Sequence, residues 1–313
     1  MAVRPENAQT SRVLGVEPRG SFVELNRTRL RVWEWGEPGD PPVIFAHGAY
    51  DHGRMWDDFA PRIAALGYRC VAIDFRGHGD SGRLSSGAMW SASALDLACL
   101  ARELRNGNSV GIIGHSFGAG QSMYAAGVWP ELFRWVVNLD GMGNPDTGDG
   151  FEAWDLVEAA TNAVDSAERF LARGERSYPS LADMADRRGA INVRLPREWV
   201  EHLVEHGARP AENGDGFVWK FDPMFRVGFP GGEWSPAHAR AEHAMVTQPI
   251  LVITGAEHDT WSELTNDDVE ERIGPMADVR HAVVPGAGHY VHIEQPAVVA
   301  ELVARFLAEV DPR

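Results

Sequence analysis

Eight short apolar runs alternate with amphipathic stretches along this 313-residue chain, and that rhythm leaves few folds open. The runs fall at residues 22–25, 30–35, 43–47, 70–75, 110–114, 135–140, 250–255 and 279–285. Between the later ones, residues 55–66, 91–104, 117–127 and 297–310 repeat apolar positions with a helical period. A parallel crossover needs the length of a helix and lays that helix on the sheet, so strands alternating with helices predict a mostly parallel sheet covered on both faces. Only residues 26–29 separate the first two runs, which predicts an antiparallel hairpin at the sheet's edge. The expected fold class is α/β, with a mostly parallel eight-stranded sheet.

The rhythm breaks after Asp140 and resumes near Pro249. The stretch between is rich in Trp, Asp, Glu and Arg, with helical periodicity and no strong strand, and it predicts a helical insertion. Residues 141–150 (GMGNPDTGDG) and 229–234 (FPGGEW) carry the turn formers expected at its entry and exit. The core is therefore assigned to 1–145 and 241–313, and the insertion to 146–240.

Composition excludes several function classes. A net charge of −16 repels nucleic acid and anionic membrane surfaces. Neither a leader-like apolar stretch at the start nor a run near the ~20 apolar residues of a membrane span is present in the sequence. Cys70 and Cys99 read as core fillers rather than as a disulfide framework or metal ligands, which fits a reducing compartment. A cytoplasmic protein acting on a small molecule is expected, as a monomer or homodimer, with no nucleic-acid or membrane partner.

The chemistry lies where strands end. Residues 110–120 read VGIIGHSFGAG, an apolar strand running through Gly114-His115-Ser116-Phe117-Gly118 into a helix-forming segment. A serine on so sharp a turn needs glycines two positions either side, and its hydroxyl projects at the positive end of the helix. Ser116 is the candidate nucleophile. His289, in Gly286-Ala287-Gly288-His289 after the last strand, stands at the carboxyl edge of the sheet, where ligands of open α/β sheets bind, and is the candidate general base. A carboxylate must orient its imidazole. Asp259, in Ala256-Glu257-His258-Asp259, is the first choice, with Glu257 and Asp140 as alternatives. The oxyanion hole needs two amides aimed at one point, assigned to Phe117 and to Ala49 in His47-Gly48-Ala49-Tyr50, with Tyr50 the alternative donor. Asp74 and Arg76 are expected to pin the loops beside His47. No cluster has the spacing of a metal site.

The order Ser116, Asp259, His289 and the segments HGAYDHGRMW, DFRGHGDS, GHSFGAG, GAEHD and GAGHYVHIEQP resemble the α/β-hydrolase superfamily, with the serine-hydrolase-like esterases nearest. The resemblance covers residues 20–145 and 245 to the end. It implies a helical cap over the site and serine-dependent hydrolysis without a cofactor. One departure is visible: Gly255 to Asp259 is one residue longer than the usual acid loop. Serine at the elbow, where the epoxide hydrolase and haloalkane dehalogenase branches need a carboxylate nucleophile, argues against those chemistries.

The insertion carries Trp154, Phe170, Trp199, Trp219, Phe221, Phe225 and Trp234, most of them expected in its own small core and Trp219 at the substrate. With His47, Tyr50, Met89 and Trp90 flanking the core motifs as candidate substrate contacts, the expected substrate is a medium-sized apolar or aromatic ester or lactone, cleaved through an acyl-enzyme. The alternatives on the same residues are an amide, or the carbon–carbon bond of a diketone. A non-catalytic receptor that only binds a small ligand is the rival from another class, and the intact serine, acid and histidine set speaks against it.

Overall fold

The computed structural model describes residues 16–84, 90–143, 161, 164–165, 168–169, 172, 174–226, 236–261 and 264–312. Its strands are β1 (Arg19–Leu25), β2 (Thr28–Trp35), β3 (Pro42–Ala46), β4 (Arg69–Ile73), β5 (Val110–His115), β6 (Phe133–Leu139), β7 (Ala208–Pro210), β8 (Phe217–Trp219), β9 (Ile250–Gly255) and β10 (Val279–Val284). Eight of them form one sheet in the order β1-β2-β4-β3-β5-β6-β9-β10. The pairs β1/β2 and β2/β4 are antiparallel, and the other neighbours are parallel.

The antiparallel edge follows from the turn. Leu25 pairs with Thr28, so Asn26 and Arg27 alone connect the strands, at φ 47° and 60°. Two consecutive positive φ values give the hairpin turn whose twist matches that of its strands.

Side chains alternate across a strand, which divides the sheet's apolar residues between two cores. Val43 and Phe45 of β3, Ile113 of β5 and Leu251 of β9 pack with the helices Phe59–Ala64 and Pro296–Val310. Their neighbours Ile44, Ala46, Ile112 and Val252 pack on the opposite face with the helices Trp90–Leu104 and Phe117–Val128. These strands are apolar at most positions because both their faces are covered.

Between β6 and β9 the chain forms the helices Leu181–Gly189 and Arg197–Gly207, followed by β7 and β8 as a small antiparallel hairpin. The sequence predicted no strand here. Three residues are too few to display a period, and the hairpin is set by Gly214 and Gly216 at φ 82° and 79°. Trp199 is buried with Leu203 and Val204, and these belong to the same apolar cluster as Phe45 and Trp56 of the sheet's face, where a separate small core of the insertion was expected. Trp154, Phe170 and Trp234 lie outside the described residues. Both cysteines are free, Cys70 buried and Cys99 half-buried. Among the described residues no helix is long and apolar enough to cross a membrane.

Burial favours the neutral form of seven histidines: His47, His52 and His115 lie well below the ordinary value, His78, His206 and His243 fall to about 4, and His292 to about 3. The unfolded chain protonates all seven near pH 6.5 while the folded chain does not, so folding stability is full above that pH and falls as pH drops toward 4. Each contributes a slope of at most about 1.4 kcal/mol per pH unit. Burial raises Asp74 to about 6 and Glu242 to about 7, which works in the opposite sense but involves fewer groups. Denaturant midpoints are expected to fall steeply between pH 7 and pH 5, and a flat profile would contradict the neutral burial of these rings.

Candidate active site

β5 enters the helix Phe117–Val128 through Ser116, whose φ of 52° and ψ of −121° belong to neither strand nor helix. Such a conformation costs a residue with a side chain about 1–3 kcal/mol, so its neighbours must hold it. The Ser116 amide donates to the Leu139 carbonyl of β6 at 3.0 Å, and its carbonyl accepts from the amides of Ala119 and Gly120 at 2.9 and 3.1 Å. The turn also needs bare backbone. A Cβ on Gly118 would lie 2.2 Å from the Ala46 carbonyl oxygen at the end of β3. The glycine spacing read in the sequence is therefore a packing requirement.

His289 stands in the loop after β10, and its Nδ1 lies 2.6 Å from Asp140 Oδ2. Both side chains are nearly buried, at 8% and 5% exposure, so the pair is shielded from screening by solvent. Donation from Nδ1 to the carboxylate leaves Nε2 as the acceptor, the form a general base requires. The loop is held from below by the His115 ring, whose Nε2 donates to the His289 carbonyl at 2.9 Å.

This arrangement corrects the choice of Asp259. Its Oδ2 accepts the backbone amide of His289 at 2.9 Å and its Oδ1 the amide of Trp261 at 2.8 Å, so the carboxylate is tied to the loop's main chain while Asp140 occupies the ring nitrogen. Glu257 is exposed. The reason is strand order. β6 is the neighbour of β5, whereas β9 lies one strand further out. The loop after β10 passes over the end of β9 to bring His289 beside Ser116, so its backbone meets Asp259 on the way and its ring meets the acid of β6.

Asp140 is fixed as tightly as Ser116. It has φ 50°, its amide donates to the Ile253 carbonyl at 2.9 Å, and the Asn138 side chain bridges both backbone groups of Gly141, at 2.9 and 3.2 Å. A Cβ on Gly141 would lie 2.4 Å from the Ser116 carbonyl oxygen. The run Asn138-Leu139-Asp140-Gly141 was the available sequence signal.

The loop after β3 supplies Gly48, Ala49 and Tyr50 to a cavity of about 530 Å³ that Ser116 and His289 also line. Tyr50 has φ 63° and packs edge-on against Phe221 at 5.1 Å between ring centres. Phe117 opens its helix beside Ser116, its ring buried against Phe225. Trp219 lines the cavity from the insertion, with Phe221 stacked on it. His47 does not reach the cavity, contrary to expectation. It is fully buried, its Nδ1 donating to the Gly48 carbonyl at 2.7 Å and its Nε2 accepting the Phe75 amide at 2.9 Å, which fixes the loop from beneath. Asp74 pins the same loop by accepting the Gly53 amide at 2.6 Å, as expected, whereas Arg76 pairs with Asp96 instead. Met89 and the side chain of Trp90 lie outside the described residues.

One feature escaped the sequence reading. Arg188, in the last turn of Leu181–Gly189, pairs with Asp51, and the Tyr290 hydroxyl donates to the other oxygen of that carboxylate at 3.3 Å. Burial pushes the Asp51 carboxyl upward against the pull of the Arg188 guanidinium, and it also raises the Tyr290 phenol. The insertion, the loop after β3 and the His289 loop thus meet at one buried charge. Asp51 directly follows Gly48-Ala49-Tyr50, but nothing in the sequence pairs it with an arginine 137 residues later.

Among the described residues one group offers metal-ligand spacing: Asp57, His202 and His206, with candidate ligand atoms within 4.8 Å of one another. None of the three lines the cavity, and Asp57 is already paired with Arg54 at 2.7 Å.

The pattern of the alpha/beta hydrolase family matches residues 43–302. The chain belongs to that family. It is 28% identical to a 2-(acetamidomethylene)succinate hydrolase of Mesorhizobium japonicum, over 91% of this chain and 94% of that protein. It is 26% identical to epoxide hydrolase A of Mycobacterium tuberculosis, over 95% and 99%. A thioesterase domain from the curacin biosynthetic pathway superposes with a TM-score of 0.75 at 21% identity, covering 92% of this chain and 99% of that one, which speaks to the fold.

The two acids separate in a mutational test. Asp140→Asn is expected to lower kcat about 10⁴-fold on any ester the protein cleaves, because the amide no longer selects the working tautomer. Asp259→Asn leaves the Asp140 contact to the imidazole in place and should cost about tenfold or less. The reverse order would return the orienting role to Asp259. Separately, Arg188→Met should destabilise folding by about 3–5 kcal/mol by leaving Asp51 buried without its counter-charge. Adding Asp51→Asn should restore part of that loss in denaturant unfolding.

Proposed function

We propose that this hydrolase cleaves a carboxylic ester or lactone through an acyl-enzyme, with Ser116 as nucleophile, His289 as base and then acid, and Asp140 as the carboxylate that orients His289. The observation that carries the reading is the 2.6 Å contact between His289 Nδ1 and Asp140 beside a serine held on a strained elbow. His289 Nε2 takes the Ser116 proton as Oγ attacks the carbonyl carbon. The oxyanion is held by the amides of Ala49 and Phe117, and collapse expels the alcohol with the proton from His289. Water, deprotonated by the same ring, then releases the acid and restores Ser116.

Tyr50, Tyr178, Trp219, Phe221 and Trp261 line the cavity, which supports a substrate with an aromatic or apolar body. The helices between β6 and β9 act as a cap in this reading, and the protein works in the cytoplasm on a small molecule without a cofactor. Serine at the elbow weighs against epoxide opening despite the likeness to an epoxide hydrolase. An amide is the second reading, favoured by the 28% identical relative whose name specifies an acetamido compound. The leaving group is then an amine, and the same protonation by His289 is needed.

A panel of p-nitrophenyl esters from acetate to decanoate, with one lactone and one anilide, tests the proposal. Turnover of esters that falls about 10⁴-fold or more in Ser116→Ala is expected. Anilide cleavage without ester turnover is chemically implausible for an acyl-enzyme and would overturn it, as would ester turnover that survives the loss of Ser116.

A further inference from the structure

Among the described residues lining the cavity, four are arginines, namely Arg169, Arg176, Arg187 and Arg188, against two acids, Asp51 and Glu175. That balance is unusual in a chain of net charge −16. Both acids are already neutralised. Asp51 is held by Arg188, and Glu175 by Arg83 at 3.0 Å and by Arg209, neither of which lines the cavity. Among the described residues, positive charge is therefore left over where the substrate must sit.

Arg187 and Arg176 carry it. Arg187 stands in the last turn of Leu181–Gly189 with no carboxylate partner among the described residues, and Arg176 lies over the Tyr178 ring at 5.0 Å. A cation near a helix C-terminus is favourable by itself, which could account for Arg187 alone. It does not account for the Nε of the buried Arg188, which has no hydrogen-bond partner among the described residues. A buried donor without an acceptor is a cost, and a ligand oxygen removes it. Guanidinium groups bind carboxylates through paired, charge-assisted hydrogen bonds, and aromatic walls lower the local dielectric that would otherwise weaken them.

We propose that the cavity selects substrates that carry a carboxylate group remote from the bond cleaved, held by Arg187 and Arg176, with Arg188 Nε as a further donor. The inference rests on the acyl-enzyme reading above and narrows its substrate class to half-esters or half-amides of dicarboxylic acids. Arg188 alone does not provide the subsite, because its charge is committed to Asp51. The apolar substrate expected from the sequence is thereby revised to one with an apolar or aromatic body and an anionic end.

Two measurements decide it. In kinetics, the mono-p-nitrophenyl ester of glutaric acid should exceed p-nitrophenyl butyrate in kcat/KM by at least about tenfold, the return of one charge-assisted contact. That ratio should collapse toward one in Arg187→Met and in Arg176→Met, and persist in Arg197→Met, a surface arginine outside the cavity. In calorimetry on the Ser116→Ala protein, glutarate should bind and its dimethyl ester should not, with the affinity falling as salt is added. Arg176 is exposed and outside the helices, so its variant tests the subsite even where Arg187→Met fails to fold. A wild-type ratio at or below one, with no glutarate binding, would overturn the proposal. Binding that survives both substitutions would overturn its placement on these arginines. If neither ester turns over, the hydrolytic reading fails, and calorimetry still decides the anion site.

Discussion

Everything at the site depends on how closely the helix Phe117–Val128 lies against the ends of three parallel strands. Gly118 sits on the Ala46 carbonyl of β3, Ser116 hydrogen-bonds to Leu139 of β6, and Gly141 after β6 lies against the Ser116 carbonyl. No side chain fits at either glycine. The strain of a serine at φ 52° persists because surrounding contacts over-determine it, and those contacts are backbone. A second left-handed residue, Asp140 at φ 50°, ends the adjacent strand and is locked by the Asn138 amide. Two neighbouring strands thus each end in a residue with positive φ, and both residues stand at the carboxyl edge of the sheet.

The same edge explains how the histidine reaches the serine. Adjacent strands lie about 4.8 Å apart, so the end of β10 is roughly 14 Å from that of β5. The five residues after Val284 open on a turn, with the Ala287 amide donating to the Val284 carbonyl at 3.4 Å and Gly286 at φ 75°, and then carry His289 along the sheet's edge. The crossing is secured along its length. Asp259 at the end of β9 takes the His289 amide, Asp140 at the end of β6 takes the ring, and His115 at the end of β5 bonds the carbonyl. Three successive strand ends hold three different atoms of one residue.

The alternation of apolar runs made the strands, their parallel pairing and the edge hairpin legible, because strands covered on both faces are apolar at most positions. The elbow was legible for a different reason: the contacts that exclude a Cβ leave glycines at fixed spacing. The acid was not. Asp140, Glu257 and Asp259 all follow strands, and only the lateral order of those strands decides which carboxylate meets the imidazole. Sequence order and sheet order diverge because β6 pairs with β9 across the insertion. His47 misled for a related reason, since its place beside Gly48-Ala49-Tyr50 is also compatible with a ring turned inward to brace the loop. The cavity arginines were illegible because charge reads as solvated surface until the helix that carries it is docked.

The buried Asp51–Arg188 pair gives that docking its physical meaning. Charges taken out of water regain little net stability from pairing, and an apolar contact of the same size would hold the insertion down as well or better. What the pair adds is position. An apolar patch tolerates sliding, whereas a guanidinium that must meet Asp51 while Tyr290 meets the same carboxylate has one seat. Asp51 is the residue after Tyr50 and Tyr290 the residue after His289, so that seat registers the insertion to the loop after β3 and to the His289 loop together. The helix Leu181–Gly189 carries Arg187 and Arg188 in adjacent positions. Fixing Arg188 to the core therefore fixes where the uncommitted charge of Arg187 stands relative to Ser116, so the residue that seats the insertion also sets the geometry of substrate selection.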